Sequence, residues 1–266
     1  MKHGIFTWFG YLLPYEDRLK LIRDAGFDCI TTWWTNMFSD SDGKREDHVS
    51  SADKMGLFID SVHLEYAKSD ELWMDGVAAE EVFNRLCLDI ESAGQHNMRV
   101  AIIHPYVNCK ICSMGVMELF ERRIHKMCDL AQSSGINLAF ENLAGSNAAI
   151  DIIMRLRKDD SNTGLCFDTG HNNIVPPRDF SILEKYGKRI FALHIHDNDG
   201  ITDEHKLPFE GCIDWEKFIT ALNNTGYEGS LMLESSHQWE KADGITADGY
   251  LRAAKKTLNI LDDMRG

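Results

Sequence analysis

The chain has 266 residues, 44% hydrophobic and 26% charged, which is enough apolar matter for one sizeable core and too apolar for disorder. Its 42 acidic against 28 basic residues leave a net charge of −14. That balance disfavours DNA, RNA and anionic membrane surfaces, all of which are gripped by lysine and arginine. Residues 1–14 lack the long apolar stretch and small-residue cleavage site of a secretory leader, and no run approaches the about 20 apolar residues of a membrane span. A soluble protein is expected.

Along the chain, a short apolar run followed by a longer amphipathic segment recurs eight times. The runs are residues 3–9, 27–34, 57–64, 99–105, 137–143, 164–169, 190–197 and 230–235. Most are too short for helices and rich in Ile, Val, Leu and Phe, so they predict buried strands. Helical spacing follows: Leu19, Ile22 and Arg23 within 16–25, Val82, Phe83, Leu86, Leu88 and Ile90 within 80–93, and Leu119, Phe120, Ile124, Met127 and Leu130 within 117–132. Gly26, Gly56, Gly135, Gly187 and Gly226 stand where helices should stop, and glycine there supplies a left-handed cap.

Eight strand-helix units without a composition break predict one domain over 1–266, closed as a parallel (β/α)8 TIM barrel. A doubly wound sheet is the alternative, but no G-x-G-x-x-G follows the first strand. The seven cysteines, Cys29, Cys87, Cys109, Cys112, Cys128, Cys166 and Cys212, are odd in number and mostly lie in apolar runs. They read as reduced core thiols in a cytoplasmic protein. Cys109-Lys110-Ile111-Cys112 is a lone C-x-x-C with no second pair, an incidental loop pair.

Barrel chemistry sits at the C-terminal strand ends, and six consecutive strands end in carboxylates or imidazoles. They are His63 and Glu65, His104, Glu141 and Asn142, Asp168 and His171, His194 with His196 and Asp197, and Glu234. Carboxylates gathered in a core repel one another unless a cation compensates them. A divalent ion is therefore expected on Glu141, Asp168, His194 and Glu234, an oxygen-rich set suited to Mn or Mg, with Zn or Co also accommodated. Each residue alone has a plainer reading as an ion-pair or core hydrogen-bond partner; the combination carries the inference. Trp33-Trp34 and Trp8-Phe9 serve either as an aromatic wall for a sugar ring or as packing at the barrel mouth. His3, His48, His96 and His125 lie away from strand ends and are read as packing or surface residues, and helical acidic residues as solvated faces.

These motifs together resemble the xylose isomerase-like barrel superfamily, which holds sugar isomerases and epimerases and the family 2 apurinic/apyrimidinic endonucleases. The resemblance rests on Ser61-Val62-His63, Ile103-His104-Pro105, Phe140-Glu141-Asn142-Leu143, Phe167-Asp168-Thr169-Gly170-His171, His194-Ile195-His196-Asp197 and Leu233-Glu234. It implies one ion on Glu141, Asp168, His194 and Glu234, a small carbohydrate substrate met by His171, and a homo-oligomer. The arginine and Pro-Gly of ketose 3-epimerases are missing, since the region reads Asp203-Glu204-His205-Lys206-Leu207-Pro208-Phe209. Asp203 and His205, with His171, resemble further ligands of the endonuclease branch, as do His63 and His104, so a second ion is compatible with the pattern.

The expected reaction is isomerisation or epimerisation of a sugar or sugar phosphate through an enediolate. Glu141 and Glu234 act as catalytic acid and base, and His171, His205, His63, His104 and Trp33 face the substrate. A lyase acting on a polyol or shikimate-type acid is the alternative. A zinc phosphodiesterase is disfavoured by charge, and a non-catalytic sugar-binding barrel by the filled carboxylate set. No arginine cluster marks a phosphate site, leaving Lys206 or backbone groups for one.

Overall fold

Each apolar run becomes a strand. The computed structural model describes residues 1–106, 114–237 and 244–266, so the C-x-x-C at Cys109 and Cys112 lies outside the described residues. The strands are β1 (His3–Phe6), β2 (Cys29–Trp33), β3 (Phe58–His63), β4 (Val100–Ile103), β5 (Asn137–Glu141), β6 (Thr163–Asp168), β7 (Ile190–His194) and β8 (Leu231–Leu233). Neighbours pair in parallel in sequence order, and β1 also pairs with β8. Just past β7, Ile195 donates its N–H to Met232 (2.8 Å) and accepts from Glu234 (3.1 Å), which closes the sheet into the (β/α)8 barrel. The strands stop short of the apolar runs as the rim residues turn into the connections, although several still bond across the mouth through their backbone, such as Thr7 N–H to Thr31 (2.9 Å) and Leu64 N–H to Ile102 (2.9 Å).

The helices are α1 (Tyr15–Asp24), α2 (Ser39–Asp42), α3 (His48–Met55), α4 (Val77–Gln95), α5 (Met114–Ser133), α6 (Ala148–Leu156), α7 (Thr169–Ile174), α8 (Ser181–Tyr186), α9 (Trp215–Thr225) and α10 (Ala247–Asp263). Their apolar stripes pack on the outside of the barrel, as Leu19 and Ile22 of α1 and Phe120 and Ile124 of α5 show by their full burial. Among the described residues, no helix is long and apolar enough to cross a membrane.

Inside the barrel, Val100, Ile102, Ala139, Cys166 and Ala192 form their own small cluster. Side chains alternate sides along a strand. The residues two positions further on, His104, Glu141, Asp168 and His194, therefore stand above that plug, at the C-terminal mouth.

Four local expectations are corrected. Gly187 is no left-handed cap, with φ −51; a side chain there would meet Thr225, so packing explains it. Cys212 is exposed on its loop, and Cys87 is half-buried on α4 at the edge of the core. Asp89 of α4 is buried rather than solvated and pairs with Arg45, and Asp42 of α2 is likewise buried against Arg18.

Candidate metal centre

The inward layer at the mouth brings Glu141, Asp168, His194 and Glu234 together: one ligand atom from each lies within 4.8 Å of all the others. His194 Nδ1 stands 3.0 Å from an oxygen of Glu141 and 3.0 Å from an oxygen of Glu234. Yet both oxygens of Glu141 and both ring nitrogens of His194 are buried without a hydrogen bond. Buried polar atoms this close normally pair. Here they converge on a shared point instead. Ligands about 2.1 Å from one ion stand about 3 Å apart at adjacent positions, so the spacing fits a divalent cation. The donor set, three carboxylates and one imidazole, suits such an ion as well.

The charges agree with the geometry. Burial alone would push the Glu141 carboxyl up, but His194 and His104 beside it outweigh burial and hold it well below the usual carboxylate range. Burial likewise opposes the ionised form of Glu234, and the facing His194 still brings it down to about 2. For His194, burial opposes protonation, while Cys166, Glu234 and Glu141 raise it well above an ordinary histidine. The imidazole thus supplies the positive charge that the carboxylates require.

Supporting residues fix the ligands. Asp168 accepts the N–H of His171 at 2.6 Å, capping α7, and its other oxygen lies 3.0 Å from His196 Nε2. The Asn142 side chain ties β5 to β6 by accepting Asp168 N–H (2.8 Å) and donating to Asp168 C=O (2.9 Å). Thr169 exchanges hydrogen bonds with the His196 backbone, and only glycine fits at 170, because a Cβ there would run into the His196 ring. This gives the D-T-G-H and H-x-H motifs a shared physical reason: each locks the other.

Above this floor opens a cavity of about 380 Å³, lined by Phe6, Trp8, Trp33, His63, Tyr66, His104, Glu141, His171, Asp203, His205 and Glu234, among others. Glu141 and Glu234 line it, Glu234 partly exposed and Glu141 fully buried, as are Asp168 and His194. His63 donates Nδ1–H to the Leu64 carbonyl (2.7 Å), which turns Nε2 toward Glu141 at 3.4 Å. His104 Nε2 lies 3.3 Å from the same carboxylate. His63, His104 and Glu141 form a second group with ligand atoms inside 4.8 Å.

His171, Asp203 and His205 are joined differently. One oxygen of Asp203 accepts from His171 Nε2 (3.2 Å) and from His205 Nε2 (3.1 Å). The remaining ring nitrogens donate to the carbonyls of Asn142 (3.0 Å) and Glu234 (2.8 Å), so both rings donate twice. Burial opposes charge on each, but Asp168 and Asp203 hold His171 well above its ordinary value, and Asp203 with Glu234 lifts His205 to about 9.

Several rim residues do not join the site. Glu65 turns away to pair with Arg85. Lys206 is taken by Glu204 at 2.7 Å. Trp33 and Trp8 line the pocket, while Trp34 and Phe9 are fully buried. Tyr66 and the supporting role of His196 escaped the sequence reading: Tyr66 lies past its strand, and His196 resembles an ordinary buried histidine.

The chain matches the family model described as Xylose isomerase-like TIM barrel over residues 19–257. An inosose isomerase of Bacillus velezensis is 27% identical over 150 residues, 51% of this chain and 52% of that protein. An inosose dehydratase of Lacticaseibacillus casei is 26% identical over 162 residues, 52% of this chain and 53% of that protein. The matched segments span about a third to a half of the length of the curated relatives. Among solved structures, an L-ribulose 3-epimerase superposes with a TM-score of 0.82 at 17% identity, covering 100% of this chain and 96% of that one. At that identity the likeness concerns the fold alone.

Proposed function

The chain belongs to the xylose isomerase-like TIM-barrel family, and from that premise we propose that it is a divalent-metal-dependent isomerase or epimerase of a sugar or a related polyol ketone. The observation that carries this reading is the pair Glu141 and Glu234. Each places an oxygen 3.0 Å from His194 Nδ1, and both line one cavity. Two carboxylates either side of a bound substrate can take a proton from a carbon next to its carbonyl and return one to the same or a neighbouring atom. Asp168 and His194, with the two glutamates, would hold the ion. Bound there, it would stabilise the negative charge that develops on the substrate's oxygens as the proton leaves.

The remaining side chains orient and donate. His171 and His205 spend their Nε2–H groups on Asp203, and by exchanging that partner for a substrate hydroxyl each could donate to the substrate or resupply the proton that a glutamate delivers. Trp8, Trp33 and Phe6 offer ring faces to the C–H side of a polyol and exclude water. Among the described lining residues none is lysine or arginine, which favours an uncharged substrate over a phosphorylated one.

One observation favours a second reading. The protonated His171 and His205, on releasing Asp203, could protonate a departing hydroxyl from Nε2, making the chain a dehydratase. The test is to load the protein with Mn²⁺ and offer ketoses and cyclic polyol ketones in D₂O, following products by NMR. Deuterium entering carbon without loss of water supports isomerase or epimerase chemistry; loss of water selects the dehydratase. Near-normal turnover in either Glu141→Gln or Glu234→Gln would defeat the roles given to that pair.

A further inference from the structure

Asp203 and His205 reach the cavity from the connection between β7 and α9, residues 195–214, which is long for a compact barrel. Its backbone is held in unfavourable shapes: His205 has φ 49 and Phe209 φ 76, left-handed values that bulky side chains avoid. Such conformations persist only where surrounding structure over-determines them. Something must hold this path.

We propose that Asp197 is the positioning residue for the Asp203–His205 side of the pocket. Its carboxylate clasps the connection in the one course that carries His205 over the site. The side chain is fully buried, and it takes four hydrogen bonds, all from the connection or its end. One oxygen accepts the N–H of Asn198 (2.9 Å) and of Ile213 (3.1 Å). The other accepts the N–H of Phe209 (3.0 Å) and the indole N–H of Trp215 (3.0 Å). The start, the strained turn and the end of the loop are thus gathered on one group. The Asp197 backbone adds a two-way bridge to Lys206, 2.9 Å in each direction, next to His205.

The neighbours agree with a built clasp. A side chain at Gly211 would strike Asp197 Oδ1, so glycine is required for the loop to close on the carboxylate. On the far side of the loop, Ser236 donates to the His205 carbonyl (2.9 Å) and His205 Nδ1 to the Glu234 carbonyl (2.8 Å). The His205 ring then stacks flat on His196 at 4.0 Å. A buried carboxylate satisfied by four donors and no cation is a device for ordering backbone. Here the ordered backbone carries two pocket residues.

The inference rests on the reading above only in taking that cavity for the active site. Its test therefore uses the metal-free chain as well as the loaded one. Hydrogen exchange on Asp197→Asn is expected to speed up about tenfold or more in 198–213 while β1 to β6 keep wild-type protection. The amide cannot accept from all four donors. Trp215→Phe removes one donor and should speed the same segment by about threefold. In the loaded protein, Mn²⁺ affinity should change by less than about threefold, because Glu141, Asp168, His194 and Glu234 sit on other strand ends or before the loop. On a substrate found by the panel above, kcat should fall by a larger factor than KM rises.

Wild-type protection of 198–213 in Asp197→Asn overturns the proposal, and so does a uniform loss of protection across the barrel. If Asp197→Asn does not fold, Trp215→Phe decides: selective loosening of 198–213 at an unchanged Tm supports the clasp, and none refutes it. Absence of Mn²⁺ binding or turnover in the wild-type chain would instead sink the functional reading and leave the exchange result standing.

Discussion

Two halves of one barrel rim face each other across the cavity. From β1 to β3 the wall is made of rings: Phe6 meets Trp33 edge-on at 5.0 Å, Trp33 lies 5.7 Å from Tyr66, and Trp8 stacks on Phe38 at 5.7 Å. From β4 to β8 it is made of imidazoles and carboxylates, among which Glu141 and His194 converge without a hydrogen bond. Each wall is braced from behind by one buried charge, of opposite sign. Arg18, fully buried, donates to the carbonyls of Thr7 (3.0 Å) and Leu13 (3.1 Å), pairs with Asp42 and lies 5.1 Å from the Trp8 ring. Asp197 accepts where Arg18 donates. The contrast teaches that an aromatic wall needs area in roughly the right place, whereas a ligand wall needs individual atoms at set distances. Errors should cost far more on the second.

Four measurements would break or sharpen that contrast. The largest effect is expected on the ligand wall: Glu141→Gln or Glu234→Gln should lower turnover by about 10³-fold with unchanged far-UV circular dichroism. A loss of tenfold or less would place the proton chemistry elsewhere. Behind the aromatic wall, Arg18→Met strands the buried Asp42 carboxylate and should cost about 3 kcal/mol of stability in urea unfolding. Replacing Asp42 by leucine in the same chain should recover the share due to the stranded charge but not the donors lost to Thr7 and Leu13, and no recovery at all would argue against the pair.

The third measurement concerns pH. His194 is held protonated well above its ordinary value, and an ion needs its lone pair. Binding must therefore release protons, so Mn²⁺ affinity should weaken as pH falls, by about tenfold per unit for each proton released. Calorimetry in buffers of different ionisation enthalpy counts those protons, and a count of zero would contradict His194 as a ligand. The smallest effect belongs to the ring faces: Trp33→Ala should raise KM by about three- to tenfold and leave Mn²⁺ affinity alone. A matching fall in metal binding would mean that the two walls are not independent.

Much of this was legible in the sequence because it is local. The period of apolar residues set the eight strands to within a few residues. Position at a strand end then gathered Glu141, Asp168, His194 and Glu234 with the other rim carboxylates and imidazoles, since alternation along a strand aims such residues into the mouth once their predecessors fill the barrel, and the motif resemblance singled out these four. The same local logic could not tell Trp33 from Trp34. Adjacent strand residues point to opposite sides, and which side is the pocket depends on register with β1 and β3. Nor could it separate Glu65 from Glu141. Both are strand-end glutamates, but Arg85, twenty residues further along on α4, claims one, whereas the other faces His194 and His104 inside the mouth.

Asp197 shows the limit most plainly. By itself it is one more acidic residue after a histidine motif, and the donors that reveal its part lie at positions 209, 213 and 215. The chain alone determined that a metal-compatible barrel mouth would form, because periodicity and strand-end chemistry are encoded residue by residue. Only the tertiary structure decided which polar groups face the cavity and which brace it. That choice is made by partners distant in sequence, through hydrogen bonds and ion pairs that exist only once the barrel has closed.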